Sequence, residues 1–380
     1  MIERYIDIAK ELSPGKVLVI YGPRRSGKTT LLNDFISTTK SKVAVFQGDK
    51  LNVQNDLSIY SSEHLASLIG DAQVVVIDEA QDVPNIGKSL KVMVDSMPRL
   101  KVVVTGSSAF ELSGQIGEPL TGRKKSRFLY PISARELYGT HTSPVHTAKE
   151  DLPSRMVYGW YPNAITATSK KEAEEFLTEL VDSYLLRDVL AFREVKSSSL
   201  LLRLLSMISY QIGQLVSLSE LAGSLEIDKG TVSRYLDLLE KAFIIYRVGG
   251  YSRNLRNEIT KKAKYYFYDI GVRNAVVSNF NPIDMRDDVG QLWENYLFTE
   301  RLKRRSYYGP HANQYFWRTW KGEEIDLIEE RGGKLNGYEF KWGSKSPRPP
   351  QAFVQTYKGE TSFEAVNRAN FYGFIARGQE

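Results

Sequence analysis

The sequence predicts an α/β fold whose N-terminal part is built on a parallel sheet. Three apolar runs, VLVI (17–20), VVVI (74–77) and VVV (102–104), consist of β-forming residues, and the first leads through glycine into a helical pattern. Strands that are apolar on both faces are typical of parallel sheets, which helices cover on both sides. Ligands of such sheets bind at the carboxyl ends of the strands. The residues that follow these runs are therefore the first candidates for a functional site.

The turn after the first run has the spacing of a phosphate-binding loop, Gly22-x4-Gly27-Lys28-Thr29. Glycine lets backbone N–H groups close around phosphate oxygens, and the helix N-terminus that follows favours negative charge. Lys28 is expected to reach the β- and γ-phosphates and Thr29 to ligate Mg²⁺, so ATP and Mg²⁺ are the predicted cofactors. The residues expected to contact the nucleotide are Gly22, Pro23, Arg24, Arg25, Ser26, Gly27, Lys28, Thr29 and Thr30.

The second apolar run ends in Asp78 and Glu79. We expect Asp78 to hold Mg²⁺, directly or through water, and Glu79 to polarise the attacking water. The third run ends in the hydroxyl-rich sequence TGSS (105–108), which could position that water or sense the γ-phosphate. Arg123 and Arg127 follow, and an arginine from a neighbouring subunit can stabilise charge on a transferred phosphoryl group. A merely basic surface loop is the alternative for these two arginines.

The pattern changes to three helical periods between residues 199 and 248, followed by two strand-like runs. The second period begins with the capping-box spacing Ser217-x-x-Glu220. This arrangement is typical of a winged helix-turn-helix, whose last helix enters the major groove of DNA. A docking surface for a partner protein is the alternative. The DNA-binding candidates are Lys229, Thr231, Ser233 and Arg234 in the last helix and Arg253, Arg256, Lys261 and Lys262 in the loop before the second strand-like run.

The C-terminal part combines a long helical pattern with three strand-like segments that carry acidic residues. Glu294 interrupts an uncharged stretch of the helix, Asp326 stands among bulky β-formers, and Glu339 and Lys341 alternate with aromatic residues in GYEFKW. The three carboxylates could ligate Mg²⁺ or Mn²⁺, because hard cations prefer oxygen ligands. Lys341 could then orient the water in phosphodiester hydrolysis. An ordinary strand with one solvated face is the alternative for GYEFKW.

On these motifs the chain resembles the AAA+-related P-loop ATPases of archaea and bacteria that carry a winged helix and a C-terminal restriction-endonuclease-like, or PD-(D/E)xK, domain. The matching segments are GPRRSGKTTLL (22–32), VVVIDEAQDV (74–83), VVVTGSSA (102–109), LTGR (120–123) and YPISARE (130–136). The resemblance implies that Ser107 is the sensor residue and Arg123 the arginine finger. It also implies a helical lid at residues 172–192, in which Arg187 would sense the nucleotide.

The composition excludes several classes of protein. The 380 residues include no cysteine, so disulfides, zinc–thiolate centres and iron–sulfur clusters are excluded. Charges interrupt the N-terminal residues, unlike a signal peptide, and no apolar run reaches the roughly 18 residues that cross a bilayer. We therefore expect a cytoplasmic protein with no membrane partner. The net charge is +6, and residues 241–320 hold 14 basic against 7 acidic side chains; this excess fits a polyanionic partner or a merely soluble basic surface, and charge alone does not choose between them.

Taken together, the sequence predicts three domains: a P-loop AAA+-like ATPase core with its lid (1–196), a winged helix-turn-helix (197–270) and an α/β restriction-endonuclease-like domain (271–380). The predicted function is ATP hydrolysis linked to Mg²⁺- or Mn²⁺-dependent cleavage of double-stranded or branched DNA. A homo-oligomer, such as a hexameric ring, is the expected assembly. The alternative is a nucleotide-controlled DNA-binding switch or signalling ATPase whose nuclease-like domain does not cut.

Overall fold

The computed structural model describes residues 2–107, 120–185, 197–252, 262–357, 359 and 361–376. The chain divides into two compact units. Unit 1 comprises Met1–Pro131 and Lys241–Phe243, and unit 2 comprises Ile132–Glu240 and Ile244–Glu380. No helix in the described ranges is both long enough and apolar enough to cross a membrane.

Unit 1 alternates strands and helices. Its strands are β1 (Val17–Tyr21), β2 (Val43–Gln47), β3 (Val74–Asp78), β4 (Lys101–Gly106) and β5 (Lys124–Phe128). Its helices are α1 (Ile8–Glu11), α2 (Lys28–Thr38), α3 (Leu51–Leu57), α4 (Ser62–Ile69) and α5 (Ile86–Ser96), with a 3-10 turn at Ala80–Asp82. The strands form one sheet in the order β2-β3-β4-β1-β5, and every pair is parallel. The predicted α/β fold with a parallel sheet is confirmed.

The apolar runs lie at the centre of this sheet, as their composition predicts. The residues of β1, β3 and β4 are largely buried, whereas the edge strands β2 and β5 are only partly covered. Two apolar clusters cover the two faces, one around Leu90 and Met93 and the other around Leu32 and Phe35. Since all strands run in one direction, the residues that follow β1, β3 and β4 meet at one edge.

Unit 2 begins with helices and ends in a mixed sheet. Its helices are α6 (Ala134–Tyr138), α7 (Pro144–Tyr158), α8 (Pro162–Thr166), α9 (Lys170–Glu179), α10 (Ser198–Tyr210), α11 (Leu218–Leu225), α12 (Lys229–Lys241), α13 (Ile270–Val276), α14 (Val289–Tyr308), α15 (Gln351–Thr356) and α16 (Phe371–Ala376). A π-helical turn, Leu180–Leu185, follows α9. Its strands are β6 (Ile245–Gly250), β7 (Lys264–Phe267), β8 (Asn313–Arg318), β9 (Glu324–Arg331), β10 (Lys334–Phe340) and β11 (Thr361–Val366).

The two strands predicted as a wing form an antiparallel hairpin, β6–β7, and this hairpin extends the C-terminal sheet. The sheet order is β11-β10-β9-β8-β6-β7, and β6 joins β8 in parallel at Gly249 and Gly250. The hairpin therefore shares its backbone hydrogen-bond network with the strands that carry Asp326 and Glu339. Spacing along the chain gave no sign of this pairing, because it joins segments more than 60 residues apart.

The three predicted helices α10, α11 and α12 form as expected from their caps and their apolar faces. Ser197 and Ser217 accept hydrogen bonds from backbone N–H groups in the first turns of α10 and α11. Asp228 does the same before α12, where its carboxylate accepts from the Thr231 backbone N–H at 2.8 Å. The apolar residues of α11 and α12 are buried, among them Ala222, Val232, Tyr235, Leu236 and Leu239.

The helices that open unit 2 are attached to its C-terminal part by buried charged groups. Both carboxylate oxygens of Asp269 accept backbone hydrogen bonds, one of them from Trp160 at 2.7 Å. Glu300 of α14 accepts from the Ala134 backbone N–H at 2.7 Å and is paired with Lys303. The predicted lid segment 172–192 is helical as far as Leu185, and Arg187 lies outside the described residues.

Candidate nucleotide site and acidic site

The glycine-rich loop of unit 1 closes tightly between β1 and α2. A Cβ atom on Gly22 would lie 2.2 Å from the carbonyl oxygen of Leu129, so a larger residue would displace the backbone there. Gly27 adopts a left-handed conformation with φ +97°, which favours glycine. The buried Lys28 ammonium donates to the carbonyls of Gly22 and Pro23, each at 3.0 Å. The loop therefore holds its own lysine in place.

The other predicted loop residues occupy distinct environments. Arg25 is exposed and Ser26 is fully buried. Thr29 and Thr30 are exposed in the first turn of α2. Arg24 is partly buried, and its positive charge acts on the carboxyl of Asp82.

The structure brings Thr29 together with Asp78, the acid that ends β3. Thr29 Oγ1 donates to Asp78 Oδ2 at 2.7 Å, and the Thr105 hydroxyl donates to Asp78 Oδ1. Because β4 lies between β1 and β3, Thr105 at the end of β4 reaches the acid on the neighbouring strand. Hydroxyl and carboxylate oxygens at this spacing are the donors that Mg²⁺ prefers. The group is thus chemically suited to a hard cation beside bound phosphates.

Glu79 is positioned by a residue that the motif analysis missed. Its backbone is left-handed, with φ 50°, and its N–H donates to Thr105 Oγ1 at 3.2 Å. Gln81 Nε2 donates to Glu79 Oε2 at 2.6 Å, and Gln81 Oε1 accepts from the Ser107 backbone N–H at 3.2 Å. Gln81 therefore links the acid to the predicted sensor strand. In the sequence, the position of Gln81 three residues after Asp78, within DEAQD, was the feature that could have identified it.

The predicted arginine finger lies at the opposite edge of the sheet from the loop. Arg123 directly precedes β5, whose first residue is level with Val17 at the start of β1. Its guanidinium pairs with Asp95 at 2.6 Å. Arg127 pairs with Glu11 at 2.9 Å. Since β1 spans five residues of about 3.3 Å each, Arg123 is remote from its own loop, and a role in a neighbouring subunit stays a prediction.

In unit 2 the acidic residues of β9 and β10 lie close together. Asp326 is buried and its Oδ2 accepts from the Phe340 backbone N–H at 2.7 Å. Lys341, directly after β10, donates from Nζ to Glu339 Oε1 at 2.6 Å, while Glu339 Oε2 is buried without a hydrogen-bond partner in the described part of the chain. Tyr338 and Phe340 face the other way, against Phe374. The charged face of GYEFKW therefore points toward Asp326.

A lysine that the motif analysis did not select enters this acidic group from β7. Lys264 Nζ lies 3.0 Å from Glu294 Oε1 and 2.6 Å from Glu324 Oε1. The hydroxyl of Tyr266, on the same strand, donates to Glu294 Oε1 at 2.6 Å. One carboxylate oxygen of the predicted metal ligand Glu294 is thus engaged by two side chains of the hairpin. The only signal in the sequence was a charged residue inside the apolar run AKYYFYDIG.

The shifted pKa values of Asp326, Glu339 and Lys264 reflect burial together with a high density of negative charge at this site. Burial, followed by the charge of Glu294, raises the pKa of Asp326 to about 7. Burial and the charge of Asp326 also raise the pKa of Glu339. Burial alone would lower the pKa of Lys264, but the charges of Glu294, Glu324 and Asp326 outweigh it and raise that pKa. The carboxylates therefore stabilise a cation strongly.

The fit of a metal ion to this site is only partial. Carboxylate oxygens, one of them without a partner, are suitable donors for a hard cation. However, within the described residues no three acidic or histidine side chains are arranged so that they could hold a metal ion. In this arrangement a lysine ammonium lies between Glu294 and Glu324. The roles of Glu294, Asp326 and Glu339 as metal ligands remain predictions.

The predicted DNA-binding residues of α12 lie mostly at the surface. Lys229, Ser233 and Arg234 are exposed, whereas Thr231 is half-buried and its hydroxyl donates to Asp228. Lys262 is exposed before β7. The remaining candidates, Arg253, Arg256 and Lys261, lie outside the described residues.

Comparisons with known protein families match three segments of the chain. Residues 14–138 match the family described as an AAA domain (AAA_14). Residues 149–283 and 289–370 match two domains of unknown function, DUF8612 and DUF4143 respectively. The AAA_14 and DUF4143 matches indicate an AAA-like P-loop ATPase family. Such a family implies nucleotide binding, for which Mg²⁺ is typical, and supports ATPase activity.

The curated relatives span most of the chain. A protein of Mycobacterium tuberculosis is 26% identical over 338 residues, which cover 88% of this chain and 72% of the relative. A protein of Haemophilus influenzae is 27% identical over 312 residues, which cover 76% of this chain and 74% of the relative. A protein of Methanocaldococcus jannaschii is 24% identical, with coverages of 85% and 74%. All three are named as uncharacterized proteins, so they add no activity.

Solved structures give weaker likenesses. A STAND ATPase with a tetratricopeptide repeat sensor from Pyrococcus horikoshii is 13% identical with a TM-score of 0.27, covering 76% of this chain and 43% of that one. The delta protein of the Bacillus subtilis DNA clamp loader is 11% identical with a TM-score of 0.28, covering 61% and 85%. TM-scores this low carry no argument about fold or function.

Proposed function

We propose that this protein is an ATP-hydrolysing, DNA-associated ATPase. The observation that carries the proposal is the contact between Thr29 and Asp78 at 2.7 Å, in the loop that also presents Lys28. The loop, the hydroxyl and the acid are the parts with which P-loop enzymes hold a nucleotide and its metal. The match of residues 14–138 to an AAA domain supports the same conclusion.

Each residue of the nucleotide site has a chemical task in this proposal. Lys28 leaves its two carbonyl partners to neutralise charge on the β- and γ-phosphates. Glu79, oriented by Gln81 at 2.6 Å, accepts the proton of the attacking water. When bound, Mg²⁺ neutralises further phosphate charge, and Thr29 and Asp78 are the residues that would hold it. Hydrolysis then alters how unit 2 engages DNA.

Two surface features of unit 2 support DNA as the partner. The outer face of α12 presents Lys229, Ser233 and Arg234 to solvent. At the turn between β8 and β9, Trp320 is 99% exposed, next to Lys321. Basic side chains neutralise phosphates, and an exposed indole can stack on an unpaired base. Stacking of Trp320 on an unpaired base would favour DNA that contains single-stranded or branched segments. An assembly of several copies, in which Arg123 acts on a neighbour, is part of the same proposal.

The acidic site of unit 2 supports two functions, each favoured by a specific observation. The pairing of Lys264 with Glu294 and Glu324 favours a nucleotide-controlled DNA-binding switch that does not cut, because a lysine already neutralises the acids. The unpartnered Glu339 Oε2 beside Lys341 favours Mg²⁺- or Mn²⁺-dependent cleavage. We place the switch first, since it requires no rearrangement of the observed contacts.

A single assay separates these functions. The protein is incubated with plasmid, single-stranded and branched DNA at low salt, with and without ATP and Mn²⁺, and both retention and strand breaks are scored. Retention that responds to ATP without breaks supports the switch. Breaks that disappear in Asp326→Ala support cleavage at this site, whereas breaks undiminished in that variant would come from elsewhere. Failure to retain any DNA, or retention that does not weaken with salt, contradicts the DNA-associated function.

A further inference from the structure

Lys264 is a deeply buried charged group beside the acidic site, and the proposed function uses it only as a counter-charge to Glu294 and Glu324. Its side chain is 2% exposed although it lies on β7, an edge strand of the six-stranded sheet. Two carboxylates from other elements contact its ammonium, Glu294 at 3.0 Å from α14 and Glu324 at 2.6 Å from β9. Lysine is rarely buried so completely unless it is paired. The contacts therefore describe a built cation site.

The groups around Lys264 differ from an ordinary ion pair, because the acids outnumber the lysine. Glu294, Glu324 and Asp326 all act on its charge. Arg318 also pairs with Glu324, at 3.3 Å, but from a half-exposed position. The Tyr266 hydroxyl donates to the same oxygen of Glu294, Oε1, that Lys264 contacts. Two carboxylates in direct contact with one buried ammonium, and a third carboxylate acting on its charge, differ from the single pairing of a surface salt bridge.

We propose that the Lys264 ammonium is the resident cation of the acidic site and takes the position that a divalent metal would otherwise occupy. The inference rests on the proposed nuclease-like character of this sheet. While Lys264 is in place, the chain neutralises its own acids and the site holds no metal.

The direct consequence is competition between the lysine and a metal ion. Removing the ammonium leaves the carboxylates of Glu294, Glu324 and Asp326 without their shared counter-charge. Hard cations bind such oxygen ligands, so the loss of Lys264 should create affinity for Mn²⁺ where the natural chain has little. Methionine is a suitable replacement because its length and apolar stem are close to those of lysine.

The test measures Mn²⁺ binding to the full chain by electron paramagnetic resonance and calorimetry, without nucleotide. Every protein in the series carries Asp78→Asn, so that the nucleotide site does not contribute. We expect Lys264→Met to bind one Mn²⁺ at least about tenfold more tightly than its parent, since one charge in a buried site changes affinity by more than 1.4 kcal/mol. Lys149→Met, at an exposed position of α7, is the matched control and should behave as the parent.

A second measurement uses the natural chain and does not depend on the folding of a variant. Reductive methylation followed by mass spectrometry should modify exposed Lys149 and leave Lys264 unmodified. In thermal unfolding, Lys264→Met should lose about 10 °C relative to its parent and regain most of the loss when Mn²⁺ is added. Methylation of Lys264 to the same extent as Lys149 would overturn the proposal.

The possible outcomes separate this inference from the proposed function. If the parent binds Mn²⁺ as tightly as Lys264→Met, Lys264 is not a resident cation, although a metal-dependent site remains. If neither protein binds Mn²⁺, both the inference and metal-dependent cleavage fail. If Lys264→Met binds Mn²⁺ but no variant cuts DNA, the inference stands and the cleavage function fails.

Discussion

The two acidic sites of this protein differ in where their positive charge comes from. In unit 1, Asp78 accepts hydrogen bonds from the neutral hydroxyls of Thr29 and Thr105. In unit 2, Glu294 and Glu324 are paired with the buried ammonium of Lys264. The nucleotide site has a lysine of its own, Lys28, but that lysine donates to backbone carbonyls.

Because of this difference, the two sites should differ in how readily they bind a metal ion. An acid held by neutral hydroxyls still attracts a cation, so the site of unit 1 is prepared for a metal that arrives with a nucleotide. An acid paired with a buried lysine is already neutralised, and a metal would have to displace that lysine. The same residue types thus produce an open site in one unit and a closed site in the other.

The largest expected effect concerns the open site. Lys28→Ala removes the charge that meets the β- and γ-phosphates, and we expect phosphate release from ATP to fall about 10²–10³-fold. The fold of unit 1 should be retained, because the Lys28 ammonium lies within the loop, where it donates to the carbonyls of Gly22 and Pro23. Steady-state phosphate release and circular dichroism check the two statements.

Lys91→Ala is the matched control, since Lys91 is exposed on α5 of the same unit. Its phosphate release should equal that of the natural chain. Undiminished hydrolysis in Lys28→Ala would remove the assignment of the phosphate-binding loop and, with it, the open half of the comparison.

The second effect concerns the closed site and depends on pH. The folded-state pKa of Asp326 is about 7, against an ordinary value of 3.8, so between these values the folded chain binds a proton that the unfolded chain has released. Stability therefore falls as pH rises from about 4 to 7 on account of this group. Asp326→Asn removes that dependence and should stabilise the protein at pH 8 by about 3 kcal/mol.

Denaturant unfolding at pH 5 and pH 8 in the presence of a chelator measures this difference. The stabilisation by Asp326→Asn should be small at pH 5 and largest at pH 8. Equal pH dependence in the natural chain and Asp326→Asn would show that the buried acid is not the titrating group.

The smallest effect tests a single hydrogen bond of the closed site. Tyr266→Phe deletes the hydroxyl that donates to Glu294 at 2.6 Å but keeps the ring that stacks on Phe298 at 4.2 Å. Because hydrogen bonds to charged groups contribute about 1.5–3 kcal/mol, we expect a loss near the lower limit, about 1.5 kcal/mol, in the free energy of unfolding. Tyr210→Phe, at a position 66% exposed, should cost much less.

Several elements of the fold were predictable from the sequence, and others were not. The strands VLVI and VVVI and the glycine loop were predicted because strand burial and phosphate binding impose local patterns on neighbouring residues. The first four residues of GYEFKW lie in β10, with Tyr338 and Phe340 against Phe374 as the alternation predicted, whereas Trp342 follows the strand and contacts Trp293. The two strands of the hairpin β6–β7 were also predicted, but the pairing of β6 with β8 was not. That pairing joins segments that are far apart in the chain, so no local sequence pattern indicates it.

The acidic site shows most clearly which features the sequence determines and which depend on the tertiary structure. Composition and spacing by themselves determined the phosphate loop, the acids at the strand ends, the helical periods and the candidate carboxylates Glu294, Asp326 and Glu339. Only the tertiary structure decided that Lys264, 30 residues along the chain from Glu294, pairs with Glu294 and Glu324. The physical reason is that a buried charge takes its partner from whatever packs against it, and packing across a sheet leaves no spacing in the sequence.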